Sequence, residues 1–151
     1  MIFLPIAILI CILDLYLKKK IESANKKDLP RKYCNQHIII DRSHNYGLMM
    51  NFLSGKGNFP LLLSSVAFLL VTLYSIPLFF RKKVPAFLQA GLSFILGGAF
   101  SNLYDRKKRG YVVDYISFKF KPLKNIFFNL GDFAIFLGGF FIFIFRLLSD
   151  D

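Results

Sequence analysis

Residues 102–118, NLYDRKKRGYVVDYISF, set two carboxylates against the end of an apolar run that extends from Pro85 to Phe100. Asp105 stands beside Arg106, Lys107, Lys108 and Arg109, whereas Asp114 lies among Val112, Val113, Tyr115 and Ile116 with no adjacent base. An apolar run that ends abruptly in charges and tyrosines marks the edge of a membrane span. A third aspartate, Asp132, sits inside the next apolar run, in FFNLGDFAIF.

Outward from this region, four stretches are apolar: residues 1–17, 59–80, 85–104 and 126–148. About 20 residues at ~1.5 Å each cross a ~30 Å hydrocarbon core, and all but the first reach that length. The chain is 55% hydrophobic with 19 phenylalanines among 151 residues, more than a soluble domain of this size needs, so a membrane protein is expected. The first stretch is expected to stay as a helix, since it lacks the charged leader and small-residue cleavage site of a secretory signal. Ile10 before Cys11 also lacks the small side chain of a lipid-attachment site. These features predict one all-α membrane domain over 1–151, with four transmembrane helices.

A small extramembrane β-sheet is expected between the first two helices, in loop 18–58. There NQHIIIDRSHNYG supplies the β-branched run of Ile38, Ile39 and Ile40 and then an Asn-Tyr-Gly turn. RKKV makes a tight turn between the second and third helices. YISFKFKPLKN, residues 115–125, mixes aromatic and basic residues as a segment lying on the membrane surface does. Gly97-Gly98 and Gly138-Gly139 mark positions where helix backbones can approach closely.

The formal net charge is +11, yet the bases sit in short clusters between the apolar stretches, interleaved with aromatics. Anionic lipid headgroups account for that placement better than nucleic acid does. Cys11 and Cys34 are too few for a zinc cluster, and His37 and His44 have neither an HExxH pattern nor a third ligand, so no metal is expected. No serine has the context of a nucleophile.

An ionised carboxylate at membrane depth costs about 2.5–3.5 kcal/mol on insertion scales, so acids there are functional candidates. Asp14 lies four residues before Lys18, which suits an ion pair snorkelling to the interface. Asp105 reads as a charge-satisfied helix end. Asp114 and Asp132 end neighbouring elements and can converge; two carboxylates in a partly dry site share a proton and can divide base and acid roles. Composition and spacing leave three readings: an aspartic membrane enzyme, a transporter or channel subunit, and a non-catalytic scaffold.

GGAFSNLYDRKKRGYVVDYI and FNLGD resemble the two aspartate motifs of the lipoprotein signal peptidases, the signal peptidase II family. The resemblance extends over the whole chain, including the Asp14 and Lys18 pair and the Asn45-x-Gly47 loop motif. It implies that Asp114 and Asp132 are a catalytic dyad, with Asn102, Arg106 and Asn129 lining and orienting the site. The implied reaction is hydrolysis of the peptide bond before a diacylglyceryl-cysteine in a prolipoprotein, with no cofactor. Its implied partners are prolipoproteins and membrane lipids. The chain is expected to act as a monomer in a bacterial cytoplasmic membrane, with its active site near the outer face. A divergent, non-catalytic paralogue that binds lipidated or amphipathic partners is the alternative.

The chain departs from the family pattern in three places. Leu48, Met49 and Met50 stand where a small residue and a phenylalanine usually follow the loop glycine; Leu15 stands where a glutamine is common; and Gly131 replaces the usual alanine, a change that loosens a helix start by about 1 kcal/mol. With both termini inside, the outer segments 18–58 and 106–124 hold nine and seven basic residues against four inside, the reverse of the positive-inside rule.

Overall fold

The computed structural model describes residues 3–48, 51–81, 84–123 and 125–149. Among them are four long helices, α1 (Phe3–Glu22), α2 (Phe59–Phe80), α3 (Ala86–Arg109) and α4 (Leu130–Ser149). One antiparallel sheet joins β1 (Arg31–Tyr33), β2 (Ile38–Asn45), β3 (Val112–Phe118) and β4 (Phe127–Phe128) in the order β1-β2-β3-β4. By length and composition α2, α3 and α4 can each cross a membrane. Met1, Met49, Met50, Lys82, Lys83 and Lys124 lie outside the described residues.

The sheet is larger than expected and does not belong to loop 18–58 alone. Residues 112–118 form its third strand instead of lying along the membrane surface, and Lys119 and Lys121 follow only after that strand ends. Val112, Val113 and Tyr115 are all buried, since β2 flanks the strand on one side and helices pack beneath it. A strand buried on both faces shows no polar alternation, which hides it in the sequence. Its pairing with β2 sets Asp114 opposite Ser43 and Val112 opposite Asn45.

Helix ends also shift from their expected positions. α1 continues past Leu17 to Glu22 because Lys18 turns inward and is fully buried, rather than reaching for water. α3 runs through DRKKR, where lysine and arginine favour helix and suit the negative end of its dipole. It stops at Gly110, whose left-handed φ of 80° is accessible without strain only to glycine, and whose N–H donates to the Arg106 carbonyl at 3.0 Å. That turn feeds the chain straight into β3.

α3 is the central helix and packs against α1, α2 and α4. Glycines permit this closeness: a β-carbon on Gly98 would lie on the Gly131 carbonyl oxygen of α4, and one on Gly97 would meet the Ala7 backbone of α1. Gly138 likewise meets Gly91, whereas Gly139 faces open space and serves no contact. With Gly131 pressed between Gly98 and Asp14, glycine tightens the α3–α4 contact here, opposite to the loosening expected from its helix propensity.

Candidate active site

Asp114 projects from β3 and Asp132 from the first turn of α4, and Asn129 joins them. The Asn129 amide nitrogen donates to Asp114 Oδ1 at 2.6 Å. Its backbone N–H donates to Asp132 Oδ2 at 3.1 Å, and its Oδ1 accepts the Asp132 N–H at 2.8 Å. The last two bonds form a reciprocal cap three residues apart that starts α4 and fixes the Asp132 side chain in the same act. The start of α4 at Leu130, rather than at Ile126, follows from this cap.

Each carboxylate has a second amide partner. Asn45 Nδ2 donates to Asp114 Oδ2 at 3.1 Å, and Asn102 Nδ2 donates to Asp132 Oδ1 at 2.9 Å. Asn45 is held in turn by the Gly47 N–H, which donates to its Oδ1 at 3.0 Å. Arg106 donates from two nitrogens to the Gly47 carbonyl, at 2.8 and 3.2 Å, and so clamps the loop onto α3. A β-carbon at Gly47 would collide with the Phe52 carbonyl oxygen, so that turn requires glycine.

Asp14 and Lys18 form the expected pair at 2.7 Å, but both are fully buried and neither snorkels. Lys18 also donates to Ser101 Oγ at 3.1 Å and to Asn102 Oδ1 at 2.6 Å, which spends all three ammonium protons. With its oxygen held by Lys18, Asn102 must present its NH₂ group to Asp132. Asp105 accepts the Val113 N–H at 3.2 Å and lies 3.0 Å from Arg109 Nε, so it is charge-satisfied and fully buried, tying the end of α3 to β3.

Two residues of this network escaped the sequence reading. The Ser101 hydroxyl donates to Asp14 at 2.5 Å; the spacing of Gly98, Ser101, Asn102 and Asp105 along one face of α3 was the available signal. The Tyr115 hydroxyl donates to Asp14 Oδ1 at 3.2 Å and accepts the Leu130 N–H at 3.0 Å. Burial pushes its phenol up, so it remains a donor.

Both aspartates line one cavity of about 390 Å³ between α2, α3, α4 and the sheet. Leu63, Phe68, Ile95 and Phe136 make its walls apolar, while Asn45, Asn102, Arg106 and the two carboxylates gather at one end. Burial, and then the charge of Asp132, push the Asp114 carboxyl up to about 7. A neutral acid next to a second carboxylate is the donor set needed for acid–base work on a water molecule.

Asn129→Ala removes both the cap and the bond to Asp114, and is expected to lower stability by about 1–2 kcal/mol and turnover by about 10–100-fold. Asn129→Asp keeps a capping oxygen but turns a third buried carboxyl toward Asp114 Oδ1 in place of the amide donor, so both its turnover and its melting temperature should fall. Wild-type turnover in Asn129→Asp would separate the amide from the dyad.

The family described as Signal peptidase (SPase) II matches residues 6–148. The lipoprotein signal peptidase of Clostridium tetani is 36% identical over 107 residues, covering 70% of this chain and 67% of that protein. Those of Alteromonas mediterranea and Pseudoalteromonas translucida are 35% and 37% identical over 63% of this chain, covering 53% and 58% of their own lengths. Two bacterial membrane enzymes solved by the in meso method, at 2.3 and 1.9 Å, superpose with TM-scores of 0.83 and 0.81 at 24% and 26% identity. Each superposition covers 99% of this chain, and 89% and 94% of the respective enzyme. With three apolar helices fit to span a bilayer and a family match over nearly its whole length, this multi-pass membrane protein belongs to the signal peptidase II family of aspartic peptidases.

Proposed function

We propose that Asp114 and Asp132 are the acid–base pair with which this chain removes signal peptides from lipidated lipoprotein precursors. The supporting observation is that two carboxylates from different elements share Asn129 and face one apolar-walled cavity. Such a cavity suits a diacylglyceryl-cysteine, and the carboxylates at its end then meet the peptide bond before that cysteine. Asp132 takes a proton from water as the oxygen attacks the carbonyl carbon. Asp114 gives its proton to the carbonyl oxygen, and a tetrahedral diol forms with no net change in charge. As the diol collapses and the C–N bond breaks, Asp132 passes the proton it took from water to the leaving amine and a diol hydroxyl returns a proton to Asp114.

Asn102, Asn129 and Asn45 hold the carboxyl groups by their second lone pairs, Arg106 and Gly47 hold Asn45, and Asp14 with Lys18 hold Asn102. The protein acts as one domain and as a monomer in the bacterial cytoplasmic membrane. α1 is its fourth span, because Leu9, Ile12, Leu13 and Tyr16 are exposed on its outside while Asp14 and Lys18 face in. The sheet and dyad lie toward the outer face.

The pH dependence tests the assignment of roles. If Asp114 is the acid, its proton is present below about 7 and is lost above it. The value of kcat/KM on a synthetic diacylglyceryl peptide should then fall roughly tenfold per unit on the alkaline side. A kcat/KM that rises through pH 7 would reverse the two roles. The orientation has its own test: Cys34 is exposed in the turn between β1 and β2, so in the proposed orientation an impermeant maleimide added to intact cells should label it, and labelling only after lysis would invert the topology.

A further inference from the structure

On the other side of β3 from the dyad, a second cavity of about 300 Å³ opens beneath the outer hairpin. Leu17, Ile21, Ala24, Ile40 and Tyr115 give it apolar surface, and the exposed bases Lys20 and Arg31 stand in the same lining. Among the described residues neither base has a carboxylate partner. Arg31 uses only its Nε, on the Asp28 carbonyl at 3.1 Å, which leaves its terminal nitrogens for another acceptor. The cavity also sits where a lipid would reach it, because α1 exposes Leu13 and Tyr16 one turn before it exposes Lys19 and Lys20. That change from apolar to basic marks the boundary between acyl chains and headgroups.

We propose that this cavity binds one anionic phospholipid, with an acyl chain on the Leu17, Ile21 and Ile40 floor and the headgroup phosphate between Lys20 and Arg31. A zwitterionic lipid carries a positive group beside its phosphate and gains less from two unpaired bases, so charge selects the ligand. The site also accounts for part of the basic bias of the outer segments, which hold nine and seven of the 20 basic residues. Through Tyr115, whose hydroxyl bonds both Asp14 and the Leu130 N–H, an occupied cavity braces the start of α4.

The test reads binding, not cleavage, and so does not depend on the proposed reaction. The purified full chain is melted in phosphatidylcholine–detergent micelles with increasing phosphatidylglycerol, and retained lipid is counted by native mass spectrometry. Wild type should retain one phosphatidylglycerol and melt several degrees higher, because a ligand that binds only the folded state stabilises it. Lys20→Gln with Arg31→Gln should lose both effects, and so should Ala24→Phe, which fills the cavity without changing charge. Lys107→Gln with Lys108→Gln, equal in charge but remote from the cavity, should keep both. Equal loss in that control means diffuse surface attraction and overturns the site. So does a wild type that responds alike to phosphatidylcholine and phosphatidylglycerol, or an Ala24→Phe variant that still retains the lipid.

Discussion

Asparagine at position 114 or 132 is expected to cut the turnover number by at least about 10³-fold, with the protein still folded and inserted. The change is nearly isosteric, so the cavity keeps its shape; what disappears is the ability to take up or give a proton. At position 114 both carboxyl oxygens face amide donors, and neither donor can turn over cheaply. The Asn45 oxygen is held by the Gly47 N–H, and the Asn129 oxygen by the Asp132 N–H. The new NH₂ group must therefore oppose one of them, a local cost of about 1–3 kcal/mol. Relief from burying a charge works the other way above pH 7, because burial disfavours the ionised Asp114. The melting temperature should thus move little while activity is lost, and the double variant should be no slower than either single one, since the two groups act as a unit. Substantial cleavage of a diacylglyceryl peptide by either purified single variant would end the dyad assignment.

Lys18→Met should produce the largest loss of stability. It removes the ammonium that touches Asp14, Ser101 and Asn102 together and, among the described residues, leaves a fully buried carboxylate supported only by hydroxyls. Breaking one side of a buried ion pair typically costs about 3–5 kcal/mol, a drop in melting temperature of about 10 °C for a chain of this length. Asp14→Leu combined with Lys18→Met should recover much of that loss, because no unpaired charge remains. Turnover should not recover with it, since the Asn102 amide is then free to rotate away from Asp132. Restored turnover in the double variant, or a single variant that melts within two degrees of wild type, would refute the positioning role.

Both candidate aspartates stood out in the sequence by their neighbours, one between Val113 and Tyr115 and one after Asn-Leu-Gly, while Asn45, Asn102 and Arg106 were named only through the family resemblance. The strand carrying Asp114 was not legible. Its seven residues are covered on both sides and the bases that follow it resemble a surface segment, so periodicity offered no help. The inward turn of Lys18 was equally hidden, because a run of three lysines signals an interface and only the polar face of α3, 84 residues away, draws the first of them into the core. The boundaries of α3 and α4 depend on Gly110 and on the Asn129 cap, local features that hydrophobic length alone does not mark.

β4 is only two residues long, Phe127 and Phe128, paired with Ser117 and Ile116 of β3. It is also the last link before Asn129, so a pair of rungs moors the bundle half of the dyad to the half that rides on the sheet. A disturbance confined to that mooring, from warming or from a wedge-shaped inhibitor, would pull the acids out of alignment while every helix stayed wound. Inactivation by that route would be silent in far-ultraviolet circular dichroism.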